Sequence, residues 1–438
     1  MIHIFTSKGQ LHLDGHKDLS KDEPIQTVQP AKVYVPAVCN KGAPLAGALA
    51  VGTKVKKGTL LGVRNDFQLP VYSPVCGEIT GLVKLTSLAI GRPVNFFEIT
   101  VGPDEGEEKL LPLAAHDRES VVAKLKEGGI VGLGGAGFPA YIKYNTKDPI
   151  DTVLINAVEC EPYLTTDYVE GIARMEDAFL AFPALLEATG AKEIVIATKN
   201  NKVALIESML KSMAKHPELQ GRVRVVKVPD AYPMGWEKTL IKAALHRTYD
   251  GLPSQAGVIV NNLQTMMAIG RLFAFGEVIT SKVFTVSGEV GAPGNYLAPV
   301  GTPMIDLIKA AGGYSYETVA LLAGGPMTSK AVMNDQTPTL LATSGLTVLN
   351  PLRIPAEEPC LRCGACTDHC PANLQPVEIK DADLVGDLER ARALKAEACV
   401  ECGLCAYVCP SHINVTAHVA KMKLMIRLKA APKPAAKK

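Results

Sequence analysis

The sequence has no excess charge of either sign, no long apolar run and no leader-like start. Its 46 lysines and arginines stand against 44 acidic residues, a formal net charge of +2 over 438 residues. That balance argues against a general binder of nucleic acid, which needs a basic face to meet phosphates. No apolar run approaches the ~20 residues that a bilayer-spanning helix requires. The chain is therefore expected to touch a membrane or a membrane complex at most, not to cross one. Residues 1–10 lack the apolar stretch of a signal peptide, which predicts a cytoplasmic protein. No catalytic acid, base or nucleophile stands out either.

Cysteine is what stands out, and it stands out by its spacing. Eight of the eleven cysteines fall in two C-x2-C-x2-C-x3-C-P runs. Cys360, Cys363, Cys366 and Cys370 precede Pro371; Cys399, Cys402, Cys405 and Cys409 precede Pro410. Three thiolates two residues apart wrap one corner of an iron–sulfur cube, and Gly364 and Gly403 let the backbone pass close to its sulfides. Zinc uses pairs of C-x-x-C hooks and has no need of a third and fourth thiol in this register. A disulfide framework needs an oxidising compartment. The spacing is that of bacterial-type ferredoxins, which hold two [4Fe–4S] clusters with the fourth cysteine of each run ligating the other run's cluster. The expected ligand sets are Cys360, Cys363, Cys366 with Cys409, and Cys399, Cys402, Cys405 with Cys370. Such a module carries single electrons. Cys39 and Cys76 read as small core residues, while Cys160 lies in the segment that ends a strand of the α/β region.

Four domains and a tail are predicted. Residues 1–103 form an N-terminal arm and a β domain, with short strands and Gly/Pro turns over 31–100. The order of residues 51–62 and 71–79 resembles the barrel-sandwich fold of biotinyl and lipoyl carriers. The carrier lysine between two methionines is absent, so no covalently carried group is expected. Residues 104–279 read as α/β, with strands at 152–156, 193–198, 223–228 and 257–261 separated by helical segments, hence a largely parallel sheet. Residues 280–350 return to short strands around one helix near 302–312, a β-grasp, SLBB-like domain. A Pro- and Glu-rich connector at 351–359 opens the ferredoxin-type α domain of residues 351–425. Residues 426–438 form a basic tail, read as solvated and frayed, with acidic lipid or a partner protein as the functional alternative. The fold class is thus multidomain α/β and β, with the two-cluster α module at the C-terminal end.

A glycine loop is the second strong motif. Gly132, Gly134 and Gly137 satisfy G-x-G-x-x-G, but the dinucleotide fingerprint needs a strand in front, and residues 119–127 read as a helix. What survives is the ability of a glycine-rich backbone to approach a flat ring or a phosphate, with Pro139 suited to the first turn of the helix that follows.

The segment Gly132-Leu133-Gly134-Gly135-Ala136-Gly137-Phe138-Pro139 with Lys143 resembles the flavin loop shared by the NADH-oxidising subunit of respiratory complex I and the RnfC subunit of the Rnf complex. Three further segments agree in order: Asn156-Ala157-Val158-Glu159-Cys160-Glu161-Pro162, then Tyr232-Pro233-Met234-Gly235-Trp236-Glu237-Lys238, then Asn261-Asn262-Leu263-Gln264-Thr265. With the flanking domains, the resemblance to the RnfC family covers nearly the whole chain. It implies non-covalent FMN, NAD(H) as substrate, and two [4Fe–4S] clusters. The cofactor contacts it implies are Gly132, Gly134, Gly135, Gly137, Phe138, Lys143, Asn156, Glu159, Glu161, Glu237, Asn261, Asn262 and Thr265. The amides and hydroxyl at strand ends suit the isoalloxazine edge and ribityl hydroxyls, Lys143 the phosphate, and Glu161 and Glu237 the nicotinamide ribose or the flavin edge. Phe138 is expected either to stack on a ring or to fill the core. Val131, Leu133 and Val158 replace charged residues of the complex I subunit and point to the Rnf branch. Trp236, the only tryptophan, stands where that branch has a small residue. The histidine-rich turns of the RnfC family are replaced by Asn40-Lys41-Gly42 and Tyr72.

These parts imply one function. A nicotinamide exchanges two electrons as a hydride, a cluster takes one, and a flavin matches the two. The resemblance implies an electron-transfer subunit of an ion-translocating ferredoxin:NAD+ oxidoreductase, peripheral on the cytoplasmic face of the cell membrane. Its partners would be membrane-embedded and ferredoxin-facing Rnf subunits. Two other readings use the same residues: a cobalamin reductase of a diol-degrading microcompartment, and a flavin-free electron-transfer scaffold.

Overall fold

A computed structural model describes residues 11–135, 137–351 and 355–430. Residues 1–10, Ala136 of the glycine loop, 352–354 of the connector and 431–438 of the basic tail lie outside the described residues.

Alternating burial builds the first β domain. In the strand Lys32–Pro36, Val33 and Val35 point inward while Lys32 stays exposed. They meet Leu61, Ile79, Phe97 and Ile99 in one core. The strands Lys32–Pro36, Arg92–Val101, Gly77–Ser87 and Lys54–Val55 form one sheet, and Leu60–Val63 pairs with Pro70–Tyr72. The arm before this domain does not stay with it. Residues Ile25–Thr27 add a parallel strand to the sheet of the third domain, Ile25 opposite Asn295. Asn295 then anchors the arm by donating from Nδ2 to the Ser20 carbonyl at 2.8 Å. Nothing in the short polar stretch before residue 31 marks it as a strand.

The α/β domain carries a four-stranded parallel sheet in the order Val223–Val228, Glu193–Lys199, Thr152–Ala157, Val258–Asn262. Parallel strands are covered on both faces. Here Val153, Ile155, Ile194 and Ile196 pack against Phe179, Phe182 and Leu185 on one side. Leu154, Val195, Val258 and Val260 pack against Leu240 and Ile241 on the other. The helix Arg118–Glu127 precedes the glycine loop, capped by Asp117, whose side chain accepts from Ser120 N at 3.0 Å. The glycine loop therefore follows a helix, and no dinucleotide-type strand–turn–helix is formed.

The third domain is a six-stranded sheet that includes the arm, with helix Met304–Ala310 packed on it. The ferredoxin-type module ends in helix Val415–Ala430. Val415, Val419, Met422 and Ile426 recur on its buried face, at the spacing of one side of a helix. The tail expected from residue 426 therefore begins later, because Ile426 is needed in the core. Among the described residues no helix is long and apolar enough to cross a membrane.

Candidate functional site

The glycine loop sits at the carboxyl end of the sheet strand Val258–Asn262, where an open α/β sheet commonly binds ligands. Its two limbs are joined by a bridge between Val131 and Pro139 and by Gly132 N donating to Phe138 O at 2.9 Å. Asn262 ends the strand Val258–Asn262 and caps the next helix, its side chain accepting from Gln264 N and Thr265 N. Thr265 in turn receives Leu133 N at its hydroxyl, at 3.0 Å, so the loop is tied to the helix start. From beneath, Lys282 of the third domain donates to the carbonyls of Leu133, Leu341 and Thr343, at 3.0, 2.9 and 2.9 Å. A buried ammonium has three protons to place, and this one places all three on carbonyls. Burial nonetheless pulls Lys282 down to about 8, with Glu170 and Asp167 opposing.

Between these ties the loop crest is open. Gly134 and Gly135 are exposed. A Cβ at Gly134 would lie 2.6 Å from Asn262 Nδ2, whereas a Cβ at Gly135 would meet no atom within 4 Å. Gly135 thus leaves a space that no described residue beyond its chain neighbours fills. Phe138 is 45% exposed, which excludes the core-filler reading and leaves its ring beside the loop.

The other expected contact residues divide into two groups. Asn156 keeps to the strand end, donating from Nδ2 to Gly235 O at 2.8 Å and accepting from Val158 N at 3.0 Å. Lys143 donates to Val260 O, mid-strand, at 2.7 Å; burial lowers its pKa, with Glu237 opposing. Glu237 accepts from the Tyr249 hydroxyl at 3.0 Å. Asn261, by contrast, is buried and gives its amide to the Tyr144 hydroxyl at 2.6 Å, inside the domain. Glu161 accepts from Met327 N and Thr328 N at 2.7 and 3.1 Å, so its carboxylate fixes a loop of the third domain. Burial raises its pKa against those two bonds. Glu159 accepts from Thr166 Oγ1 and Asp167 N, both at 3.1 Å. Three participants went unread in the sequence: Lys282, Asp167 and Lys17, whose ammonium donates to Glu161 O at 2.6 Å. Each meets partners nearly a hundred or more residues away or across a domain boundary, and no local pattern marks such a pair.

The cysteine runs fold as two copies of one turn. Arg362 and Glu401, each just before the second cysteine, adopt φ of 55° and 56°, and Gly364 and Gly403, just after it, adopt 78° and 81°. Short helices Ala365–Asp368 and Leu404–Tyr407 follow in each copy. Cys360, Cys363, Cys366 and Cys409 line one cavity. Cys370 lies within electrostatic reach of Cys399, Cys402 and Cys405. Among the described residues no three His, Cys, Asp or Glu side chains converge closely enough to hold a single metal ion. Four thiols around one cavity, Cys360, Cys363, Cys366 and Cys409, are the donor set a cubane cluster takes. Leu374 N and Glu401 N each donate to a cysteine sulfur, Cys370 and Cys399, at 3.3 Å, the kind of contact that tunes cluster potential.

One quartet adjoins the sheet end. The Tyr232 hydroxyl donates to Cys402 O at 2.6 Å. Tyr232, Leu404, Cys160, Met327 and Cys402 share a small apolar cluster with Leu11 of the arm. Gly403 packs so tightly on the third domain that a Cβ there would lie 2.5 Å from Met327 O. Cys363, of the other quartet, is exposed.

Comparison with known proteins gives the same order of parts. Family models match for the RnfC barrel sandwich hybrid domain at residues 5–105, the Nuo51 FMN-binding domain at 125–271, the SLBB domain at 283–331 and the 4Fe-4S dicluster domain at 359–413. The chain is 32% identical over 406 residues to the C subunit of the ion-translocating oxidoreductase complex of Rhodobacter capsulatus, covering 89% of this chain and 77% of the relative. It is 30% identical over 382 residues to the C subunit of the proton-translocating ferredoxin:NAD(+) oxidoreductase complex of Clostridium ljungdahlii, covering 84% and 82%. Among solved structures, an NAD+-reducing [NiFe]-hydrogenase in the air-oxidised state is similar in fold, with a TM-score of 0.53 at 19% identity over 73% of this chain and 68% of that one. The chain belongs to the RnfC family, the C subunits of ion-translocating oxidoreductase complexes. Its domains are those of an FMN- and [4Fe–4S]-binding oxidoreductase subunit.

Proposed function

We propose that this chain exchanges electrons between NAD(H), FMN and two [4Fe–4S] clusters as the nucleotide-facing subunit of a membrane-bound Rnf-type complex. The observation that carries this reading is the junction at Tyr232, which brings a cluster ligand's carbonyl to the carboxyl end of the flavin-domain sheet. FMN supplies the exchange between paired and single electrons. The chain supplies position. The ties from Thr265 and Lys282 hold the loop crest open at Gly135. Asn156 at a strand end and Lys143 on the helix after the loop are the polar side chains the family resemblance assigns to the flavin, each releasing a bond to a backbone carbonyl to reach it.

The order of transfer follows from the packing. The quartet of Cys370, Cys399, Cys402 and Cys405 is the inner one, against the flavin domain. The quartet of Cys360, Cys363, Cys366 and Cys409 is the outer one, towards a partner. Asn261 and Glu161 act as supports for the site, since their polar groups are spent on Tyr144 and on the 327–328 loop. The protein docks peripherally on membrane-embedded partners at the cytoplasmic face, with surface charge pairs contributing.

The test is an anaerobic preparation. About eight iron and eight sulfide per chain, as two cubanes require, and acid-releasable FMN are expected. NADH should bleach the flavin and then reduce the clusters. In native extract the protein should sediment with membranes and leave them in ~1 M salt, where the Debye length falls to about 3 Å. A covalent flavin, FAD or no flavin would sink the reading; reduction of cob(III)alamin in a microcompartment fraction would replace the partner.

A further inference from the structure

Oxidation of NADH releases two electrons and one proton: NADH → NAD+ + 2e− + H+. The clusters accept the electrons alone, so on the function proposed for this site the proton needs a separate way out. The structure contains a group of residues suited to that task behind the glycine loop.

Three carboxylates lie within electrostatic reach of one another there. Glu159 follows the strand Thr152–Ala157, and Asp167 and Glu170 lie one turn apart on helix Thr166–Phe179. Asp167 and Glu170 are 7% and 6% exposed. Asp167 accepts from Asn262 Nδ2 at 2.7 Å and from Gln264 Nε2 at 2.8 Å. Asn262 stands directly under Gly134, so Asp167 is one side chain removed from the loop crest. On its far side, Gln264 is only 4% exposed, yet its Oε1 has no hydrogen-bond partner among the described residues. Gln264 and Glu170 both line a cavity of about 370 Å³, which Lys57 of the first domain and Lys282 of the third help to close. A water occupies ~30 Å³ of liquid, so this polar space has room for several. A buried amide oxygen without a protein partner is where one belongs.

We propose that Asp167 and Glu170, with Glu159 beside them, form a proton relay that joins the strand-end site to a polar cavity behind the glycine loop. The proton is taken up on the Asp167 carboxylate, passes to Glu170 one turn along the same helix and leaves to solvent through the cavity that Glu170 lines. Reduction of NAD+ runs the same path inward. Neither electrons nor a further reactant enter these steps.

The charges around the relay fit this role. Asp167 faces Glu159, Glu170, Lys282 of the third domain and the amides of Asn262 and Gln264. Glu170 faces Arg174 and Asp177 on its own helix, and Lys282 and Glu159 across from it. Glu159 lies 4.0 Å from Lys17 of the arm. Burial, reinforced by Glu159, raises Asp167 well above the usual carboxylate range. Burial pushes Glu170 up to about 6, with Arg174 opposing. Crowded carboxyls of this kind share a proton near neutral pH.

Two measurements separate this proposal from the assignment of NAD(H). First, infrared titration of the cofactor-free protein should show protonated carboxyl bands persisting above about pH 5, the one that titrates highest being lost in Asp167→Asn. Second, in the loaded protein mixed with NADH, an indicator dye should show proton release in step with cluster reduction. In Glu170→Gln, flavin bleaching should keep its rate while proton release slows at least about tenfold. A carboxyl spectrum unchanged by Asp167→Asn, or release still in step in Glu170→Gln, overturns the relay. Failure of NADH to bleach the wild-type flavin would instead overturn the NAD(H) reading, leaving the infrared result to decide the buried proton.

Discussion

Single residues decide whether the glycine loop is a ligand cradle or only a turn, and Gly135 gives the cleanest test. A Cβ at Gly134 collides with Asn262 and disturbs the helix cap, so loss of flavin in a Gly134 variant would say little. At Gly135 a Cβ meets no protein atom within 4 Å, and its φ does not lie in the left-handed range. Gly135→Val should therefore keep the fold, the thermal midpoint and both clusters, yet lower FMN affinity by two orders of magnitude or more, about 3 kcal/mol. Flavin fluorescence titration against iron content measures both at once. Retained FMN would move the cradle away from residue 135. The glycines and cysteines were legible because their chemistry is local: a run of small residues or of thiols announces itself. Lys282 was not, since a lysine in a strand reads as solvent-facing until three carbonyls from two other segments are seen around it.

Among the elements, the two cysteine runs and their shared turn were legible in the sequence, while the last helix was not. The four strands of the α/β sheet were recognisable from their β-branched runs, with ends shifted by one residue at most places. The helix Val415–Ala430 was cut short because lysines at 421, 423 and 429 resemble a tail, whereas Met422 and Ile426 between them face the core. The arm strand Ile25–Thr27 was missed because only its partner strand makes it one. The crossing has a direct test. Cys409→Ser should degrade the outer cluster, whose cavity Cys409 shares with Cys360, Cys363 and Cys366. Cys370→Ser should degrade the inner one. Electron paramagnetic resonance of the two variants should lose different cluster signals, each from the run that the mutated residue does not belong to. If each lesion stays within its own run, the crossed assignment fails.

At the scale of the whole molecule, the proposed electron path depends on how firmly the second cysteine run is seated on its neighbouring domains, and the two pseudo-equivalent glycines separate that from local strain. Gly364 and Gly403 occupy the same place in the two turns, with φ of 78° and 81°. An alanine at either carries the same backbone penalty, roughly 1–2 kcal/mol for a left-handed residue. Their surroundings differ. A Cβ at Gly364 meets nothing within 4 Å, but at Gly403 it lies 2.5 Å from the carbonyl of Met327, whose own N–H is held by Glu161. The clash therefore falls between rigid parts, and it can be relieved only by moving the ferredoxin-type module off the third domain. That movement would also stretch the Tyr232 bond to Cys402 O. Gly403→Ala is expected to keep its iron and FMN, bleach with NADH at the normal rate, and pass electrons on to the clusters at least about tenfold more slowly. Gly364→Ala should transfer electrons as the wild type does, because the outer turn presses on nothing. Stopped-flow spectra that resolve flavin bleaching from cluster reduction measure the two steps separately. Equal slowing in both variants would assign the effect to turn strain, and the inner junction would no longer be the point through which the domains exchange electrons.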